Sequence, residues 1–470
     1  MGKLFGTDGI RGVVNAGLDA DLAYRVGLAA ASVLSEGKAS GKRPLVTIGK
    51  DTRISGDLLK GSLIAGLCTA GADVLDLGTL PTPGVAWVTV QREADAGIVI
   101  SASHNPFEHN GIKIFNGAGF KLSDELEERI EDIVLFQHND VERKTCGEIG
   151  KVSYVAERAS EGYIDHLTKT ISADLSGLRI LVDCANGAAS ATAGRLFDRF
   201  PRLRADIINN DPDGININDR CGSTHMDALA AMVTAGGYDM GIAFDGDADR
   251  CLAVDELGRD IDGDQIMALC GLDLKARGKL PADAIVATVM SNLGLQIFAR
   301  EHGLKLECTA VGDRYVLECM REKGYVLGGE QSGHMIFLEH ATTGDGELTA
   351  LQLLDLFKRS GKKASELFGV CRRYPQVLVN VPLSGGNQAK NAVMEAQWLK
   401  DAIAEQEHRL NGEGRILVRP SGTEALIRVM VEGKDMVVTF NAPAELPREL
   451  ERNFRNDERI LRYMVTRKEA

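Results

Sequence analysis

Short apolar runs of strand length, each followed by a helical pattern, recur along most of the chain, and this alternation restricts the fold more than any other feature. Leu45-Val-Thr-Ile48, Ile98-Val-Ile100, Ile180-Leu-Val182, Gly241-Ile-Ala-Phe244 and Ala284-Ile-Val-Ala287 are candidate strands. Between them lie helical patterns such as Ser123-Asp-Glu-Leu126, Ile130 and Ile133-Val134, with Ser123 as a candidate N-cap. Strands alternating with helices predict parallel sheets joined by crossover helices. With 470 residues and 44% apolar content there is material for several such units. The C-terminal part differs. There Val377-Leu-Val379, Ile416-Leu-Val418 and Ile427-Arg-Val429-Met430 surround one long helical stretch over residues 388–410, which reads as a smaller α+β unit. Domain boundaries are expected near 155, 255 and 372, giving units 1–155, 156–255, 256–371 and 372–470.

In open α/β sheets ligands gather at the carboxyl ends of strands, so the residues just past each apolar run are the candidates for chemistry. The run Gly97-Ile-Val-Ile-Ser-Ala-Ser103-His-Asn-Pro106 ends abruptly in hydroxyls, an imidazole and an amide. Ser103 is the candidate phosphate carrier, flanked by His104. The same residues also make sense as a hydrogen-bonded turn closed by Pro106. A second loop, Phe244-Asp245-Gly-Asp247-Ala-Asp249-Arg250, carries three carboxylates at alternate positions. Without a cation they would repel one another, and an all-oxygen donor set suits a hard ion such as Mg²⁺; three aspartates on a solvated loop is the alternative. Asp245, Asp247, Asp249 and Glu256 also fall at calcium-loop positions. Arg250 stands where that loop needs glycine, however, and the flanks read as strands instead of helices.

Gly328-Gly-Glu330-Gln331-Ser332-Gly333-His334 follows another strand-like run. Glu330 and Ser332 can accept from and donate to sugar hydroxyls, and His334 can bind substrate or cap the turn. Near the end, Arg419-Pro-Ser421-Gly422-Thr423 and Arg428 offer guanidinium groups, hydroxyls and backbone N–H groups around a glycine, donors suited to a phosphate. The segment also reads as a hairpin loop without a ligand.

A formal charge of −13 disfavours nucleic acid or an anionic membrane as the main partner. An anionic small substrate would then need a local cationic pocket. Arg11, Lys50, Arg53, Lys113, Arg250, Arg314, Arg419 and Arg428 are the cations embedded in or near Gly-rich loops; those of the Phe5–Gly12 and Lys50–Arg53 loops also fit a solvated turn. Nine cysteines without paired spacing suggest neither a zinc site nor a disulfide framework. No apolar run is long enough to span a membrane and the N-terminus has no signal-like pattern, so a cytoplasmic protein is expected.

Taken together these segments resemble the α-D-phosphohexomutase superfamily over about residues 3–433. The motifs come in family order: Phe5-Gly-Thr-Asp-Gly-Ile-Arg-Gly, the Ser103 loop, Asp183-Cys-Ala-Asn-Gly187, Asn216-Ile-Asn218 with Cys221-Gly-Ser-Thr-His225, the Asp245 loop, Val311-Gly-Asp-Arg-Tyr315, the Glu330 loop and Arg419-Pro-Ser-Gly-Thr-Glu. The Gln331 form of the sugar loop is similar to the glucosamine branch. The resemblance implies three similar α/β domains with mixed, mainly parallel sheets and a smaller C-terminal α+β domain around a central cleft. It also implies that Ser103 is phosphorylated and that its phosphate with Asp245, Asp247 and Asp249 binds one Mg²⁺ per active site. In that scheme Glu330, Ser332 and His334 face the sugar, and Arg419, Ser421, Gly422, Thr423 and Arg428 grip the non-reacting phosphate. Arg11, His104 and Lys113 line the reacting centre, with Arg250 and Arg314 also in the site. Lys113 is expected to move the proton, with a pKa lowered by burial or by Arg11.

The implied activity is the interconversion of glucosamine 6-phosphate and glucosamine 1-phosphate for UDP-N-acetylglucosamine synthesis, with glucosamine 1,6-bisphosphate as intermediate and activator. The expected partner is a small sugar phosphate, and both monomer and homodimer remain open. Alternatives are a phosphoglucomutase or phosphomannomutase, a metal-dependent phosphatase using an Asp nucleophile, and a non-catalytic sugar-phosphate-binding protein. One departure stands out: the tail from about residue 434 resembles the last helix and strand of bacterial small-subunit ribosomal protein number six. Its Leu446, Leu450 and Phe454 form an amphipathic helical pattern that can substitute for the family's terminal helix.

Overall fold

Every residue of the strand Ala96–Ile100 is buried, as befits a continuous apolar run in the interior of a sheet covered on both faces. In the computed structural model, which describes residues 4–6, 8–36, 42–382, 386–411, 413–420 and 426–434, this strand is third in a six-stranded sheet. The order is Ile10–Val13, His109–Asn116, Ala96–Ile100, Leu45–Lys50, Asp73–Thr79 and Val152–Tyr154. Ala96–Ile100 runs parallel to Leu45–Lys50 and antiparallel to His109–Asn116, with Val99 opposite Lys113. The chain thus leaves the sheet, turns through the Ser103 loop, and returns with Lys113 beside the strand it left. On the next strand outward Arg11 stands opposite Gly111. A side chain at Gly111 would collide with the Ser101 carbonyl oxygen at 2.6 Å, so glycine keeps the two strands and the loop close.

A five-stranded sheet follows, in the order Asp260–Ile261, Cys251–Asp255, Met240–Phe244, Arg179–Asp183 and Arg204–Ile208. A four-stranded sheet comes third: Lys305–Thr309, Ala284–Thr288, Leu327–Gly329 and Met335–Phe337. Each sheet combines parallel with antiparallel pairs, parallel ones in the majority over the three together. These three sheets belong to one compact unit, Met1–Ser291 with Ala299–Cys371; a second unit comprises Asn292–Phe298 with Arg372–Ala470. The second unit holds a three-stranded antiparallel sheet in the order Gln376–Pro382, Leu426–Gly433, Gly414–Pro420. Inside it Glu432, fully buried, accepts from Leu293 N and Asn292 Nδ2, both at 3.1 Å, which ties the short segment 292–298 to this sheet.

All eight candidate strands are strands, each extending beyond its apolar core. Ser123 caps the helix Asp124–Asp132 by accepting from Leu126 N, but Ile133 and Val134 fall in a π-helical turn, Ile133–Gln137. The single long helix expected over 388–410 is two, Gly386–Glu395 and Gln397–Leu410, separated at Ala396 with an extended ψ of 130°. Alanine favours helix, so the break is tertiary: both segments lie against the strand Gly414–Pro420, and the bend lets each reach it. Ser421, Gly422, Thr423 and the atypical tail from 435 onward lie outside the described residues. Among the described residues no helix is long and apolar enough to cross a membrane.

Candidate active site

The Ser103 loop is fixed by its backbone carbonyls. Arg53, 1% exposed, donates through its guanidinium to the carbonyls of Ser103 and Asn105 at 2.8 Å each, to that of His109 at 3.0 Å, and to that of Pro106. Asp51, itself buried, orients Arg53 Nε at 2.8 Å and accepts from Ser101 Oγ at 2.7 Å. Asn218 Nδ2 adds a bond to the Ser103 carbonyl at 2.9 Å. Ser103 is thereby held at φ +50°, a conformation uncommon for a residue with a Cβ and often found at functional sites. Its Oγ donates to Asp245 Oδ2 at 2.6 Å and stands 3.4 Å from His104 Nδ1.

The three aspartates converge as their spacing predicts. One oxygen each from Asp245, Asp247 and Asp249 lies within 4.8 Å of the others, and all three residues are buried. Asp247 Oδ1 and Asp249 Oδ1 are buried without a hydrogen-bond partner. Ligands of one octahedral ion at about 2.1 Å stand roughly 3–4 Å apart, so these oxygens need only a small closure to share one. An all-oxygen set with orphaned buried acceptors fits a divalent cation. The calcium-loop alternative is closed by the strands on both flanks and by Glu256, whose carboxylate is occupied by Ser365.

Burial, reinforced by Asp249 and Asp247, pushes the Asp245 carboxyl up to about 8. Asp249 is also buried, but Lys113 and His334 hold it well below the usual carboxylate range. Lys113 Nζ pairs with Asp247 at 2.8 Å and Asp249 at 3.6 Å. Burial works against the lysine's charge, yet these two carboxylates raise its pKa above the ordinary value. The lowered pKa expected for Lys113 is therefore corrected: the field of the carboxylates outweighs burial and the neighbouring Arg11. His104 is the opposite case, with burial and then Arg250 and Arg11 bringing it down to about 4, so it is neutral at physiological pH. His334 is buried, which disfavours its charge, but Asp249 and Asp313 on either side, each 3.7 Å away, raise it to about 9. Gly344 N also approaches His334 Nε2 at 3.2 Å, a contact suited to the neutral ring. The carboxylates outweigh that single amide and favour the imidazolium.

A cavity of about 440 Å³ opens in front of these groups. Ser103, Lys113, Asp249, Arg11, Arg250, Arg314, Glu330 and His334 are on its wall. Of the remaining expected cations, Lys50 and Arg53 are elsewhere: Lys50 pairs with Asp57 at 3.6 Å, and Arg53 is the internal brace of the Ser103 loop. Arg314 is ion-paired with Asp124 and Glu318. Ser332 is exposed and outside the lining. Gln331, the branch-marking residue, also lies outside the lining and donates to Asp262 Oδ2 at 3.3 Å, where Asp262 caps the helix Gly263–Ala276. In the second unit Arg419 and Arg428 face each other across the strand pair. Arg419 is lowered by burial and by the Arg428 charge, and two adjacent guanidinium groups are a natural anion site.

Several residues that bear on the site were not legible as such. Thr82 Oγ1 donates to Asp247 Oδ2 at 2.7 Å, and its N–H donates to the Asp247 carbonyl at 2.9 Å. Of the motif Asp183-Cys-Ala-Asn-Gly187, the glycine supports the Asp245 loop from behind. Ala188 N bonds the Gly246 carbonyl at 2.8 Å, and a Cβ at Gly187 would meet that oxygen at 2.4 Å. The two chemical loops also pack closely at Gly246, since a Cβ there would lie 2.6 Å from the Ser103 carbonyl oxygen and 2.8 Å from Asn218 Nδ2. Gly246→Ala is accordingly expected to cost about 1–3 kcal/mol of stability and to lower turnover by pushing the loops apart. Urea unfolding and initial-rate assays check both; a variant equal to wild type in both would contradict the close approach.

The chain matches the models of all four domains of the phosphoglucomutase/phosphomannomutase family: alpha/beta/alpha domain I over residues 2–139, domain II over 161–258, domain III over 262–374 and the C-terminal domain over 378–439. A phosphoglucosamine mutase of Acetivibrio thermocellus is 55% identical over 438 residues, covering 93% of this chain and 96% of that one. Another, from Ruminiclostridium cellulolyticum, is 53% identical over 455 residues, covering 96% and 99%. Among solved structures, a phosphoglucomutase/phosphomannomutase family protein of Burkholderia thailandensis superposes with a TM-score of 0.74 at 24% identity over 96% of each chain. An Aspergillus fumigatus N-acetylphosphoglucosamine mutase, solved with GlcNAc-6P and magnesium, gives 0.60 at 19% identity over 92% of each. Those two likenesses speak for the fold alone. With the four domains in order and curated relatives more than half identical over nearly its whole length, the chain belongs to the phosphoglucomutase/phosphomannomutase family, in its phosphoglucosamine mutase branch.

Proposed function

We propose that this chain interconverts glucosamine 6-phosphate and glucosamine 1-phosphate, with Ser103 carrying the phosphoryl group and a 1,6-bisphosphate as the exchanged intermediate. The observation that carries the reading is the Ser103 hydroxyl, locked by its loop and aimed at the buried aspartate cluster at 2.6 Å. Relatives named phosphoglucosamine mutase at up to 55% identity support the substrate. Phosphoserine 103 gives its phosphoryl group to the free sugar hydroxyl: the new O–P bond forms as the Ser103 Oγ–P bond breaks, and the proton that the sugar hydroxyl loses is balanced by the one that the departing Ser103 oxygen takes up. Ser103 then takes the other phosphate back from the reoriented bisphosphate, and the sugar oxygen leaves protonated.

Asp245, Asp247 and Asp249 would hold Mg²⁺, which when bound supplies positive charge to stabilise the phosphoryl oxygens. Lys113, held protonated, adds a fixed positive charge and can give a proton to a departing oxygen. Neutral His104, whose Nδ1 stands 3.4 Å from Ser103 Oγ, can accept the Ser103 proton. Glu330 and His334 offer an acceptor and a donor to sugar hydroxyls, Arg11 and Arg250 add charge to the cavity wall, and Arg419 with Arg428 suits a phosphate monoester.

The test is a bisphosphate-primed isomerisation assay that compares kcat/KM for glucosamine, glucose and mannose phosphates. A preference for glucosamine 6-phosphate is expected; a clear preference for either neutral sugar would reassign the chain within its family.

A further inference from the structure

Lys121 belongs to none of the sequence motifs, yet it sits on the cavity wall between two carboxylates that are far apart in the chain. Its Nζ donates to Asp8 Oδ1 at 3.0 Å and to Asp313 Oδ1 at 2.9 Å. The sequence separations are 113 and 192 residues. Asp8, Lys121 and Asp313 all line the cavity. Each carboxylate has a further partner. Asp8 Oδ2 reaches Arg11 at 3.3 Å, and Asp313 Oδ2 reaches His334 Nε2 at 3.7 Å. One ammonium therefore joins the wall that carries Arg11 to the wall that carries the sugar loop's His334.

Without it, two carboxylates of the cavity wall, their side chains 39% and 18% exposed, would face each other with no charge between them, and like charges at short range disfavour one another. Burial opposes the charge of Asp8 and of Asp313, yet both are held below the ordinary carboxylate range, with Lys121 the largest opposing cause for each. Lys121 keeps its proton well above neutral pH, so it acts as a fixed charge and not as a proton shuttle.

We propose that Lys121 is a positioning residue for the sugar phosphate: its ammonium sets the spacing between the Asp8–Arg11 wall and the Asp313–His334 wall of the cavity. The inference rests on the mutase reading for the identity of the ligand. A bridge that served folding alone would change stability and leave substrate handling intact, so the decisive readouts are KM against kcat and direct binding.

For Lys121→Met, KM for glucosamine 6-phosphate is expected to rise roughly tenfold to a hundredfold, the scale of a lost hydrogen bond to a charged group. The kcat should stay within about threefold, because the Ser103 loop and the Lys113–Asp247 pair are held by partners of their own. Lys121→Arg, which retains charge and donors for both carboxylates, should restore most of the KM. Calorimetric binding of glucosamine 6-phosphate to the same proteins gives the effect without turnover. A wild type that binds but does not isomerise would sink the mutase reading alone. Equal affinity in wild type and Lys121→Met, or a loss confined to kcat, would overturn the role of Lys121. If Lys121→Met fails to fold, Asp313→Asn removes one of the two contacts, and an unchanged KM there would overturn the role equally.

Discussion

Replacing Ser103 with alanine is expected to abolish isomerisation, by at least about a thousandfold, while leaving the fold intact. The separation of chemistry from structure follows from how the loop is held. Four backbone carbonyls accept from Arg53, the Ser103 carbonyl also accepts from Asn218, and the Ser103 N–H donates to Ser101 Oγ at 2.9 Å. None of these contacts uses the Ser103 side chain, whose hydroxyl makes only the Asp245 bond and the longer approach to His104. Alanine meets the same left-handed backbone demand as serine. The thermal midpoint should therefore move by no more than a few degrees, the scale of one hydrogen bond. Intact mass and phosphopeptide mapping of the wild type should place phosphate on Ser103, and the variant should carry none there. A hydrolase that used an aspartate of the Asp245 loop as nucleophile would behave differently, releasing phosphate at an undiminished rate in Ser103→Ala. That outcome, or phosphate mapped elsewhere with activity retained, would defeat the phosphoserine assignment.

The parts of the site that were legible beforehand share one property: their chemistry is local. Asp245, Asp247 and Asp249 lie within five residues and end a buried strand, so their convergence follows from a single turn. Ser103 was legible for a related reason, standing just past the end of a buried strand; Lys113 came from the family resemblance, and the antiparallel return of His109–Asn116 that brings it to the same corner is visible only in the structure. The supporting residues depend on contacts distant in sequence. Arg53 looked like one more phosphate-binding cation, but a guanidinium that matches several carbonyls turns inward when the loop wraps over it. Gln331 carried a family signature and proved to bond Asp262 at a helix N-terminus. Lys121 is a single lysine in a polar stretch, and its two partners are set by the docking of loops 113 and 192 residues away. The break at Ala396 was likewise invisible, since alanine prefers the helix and only packing against the neighbouring strand bends the chain there.

The dependence of stability on pH and on divalent cation should show the same carboxylate cluster without any turnover. Asp245 is pushed up to about 8 by burial and by Asp249 and Asp247, from an ordinary value of 3.8. Its folded pKa lies above its unfolded one, so between about pH 4 and pH 8 the folded protein retains a proton that the unfolded chain has released. Stability then falls as pH rises through that window. Asp249, lowered instead, contributes stability that is present above its unfolded pKa and lost only in acid, so it does not cancel the trend. A divalent cation takes the place of the proton as the partner of the converging oxygens, and it binds the folded state selectively because only that state brings them together. Thermal unfolding in EDTA should accordingly give a midpoint that drops from about pH 5 to about pH 8, while saturating Mg²⁺ should raise the midpoint more at the higher pH than at the lower. Asp245→Asn separates the two effects. The neutral amide removes the pH-dependent cost, so in EDTA the variant should exceed the wild type at about pH 8, and it should gain less from Mg²⁺. A cation effect of equal size at both pH values, or one that survives undiminished in Asp245→Asn, would mean that Asp245 is not where proton and metal compete.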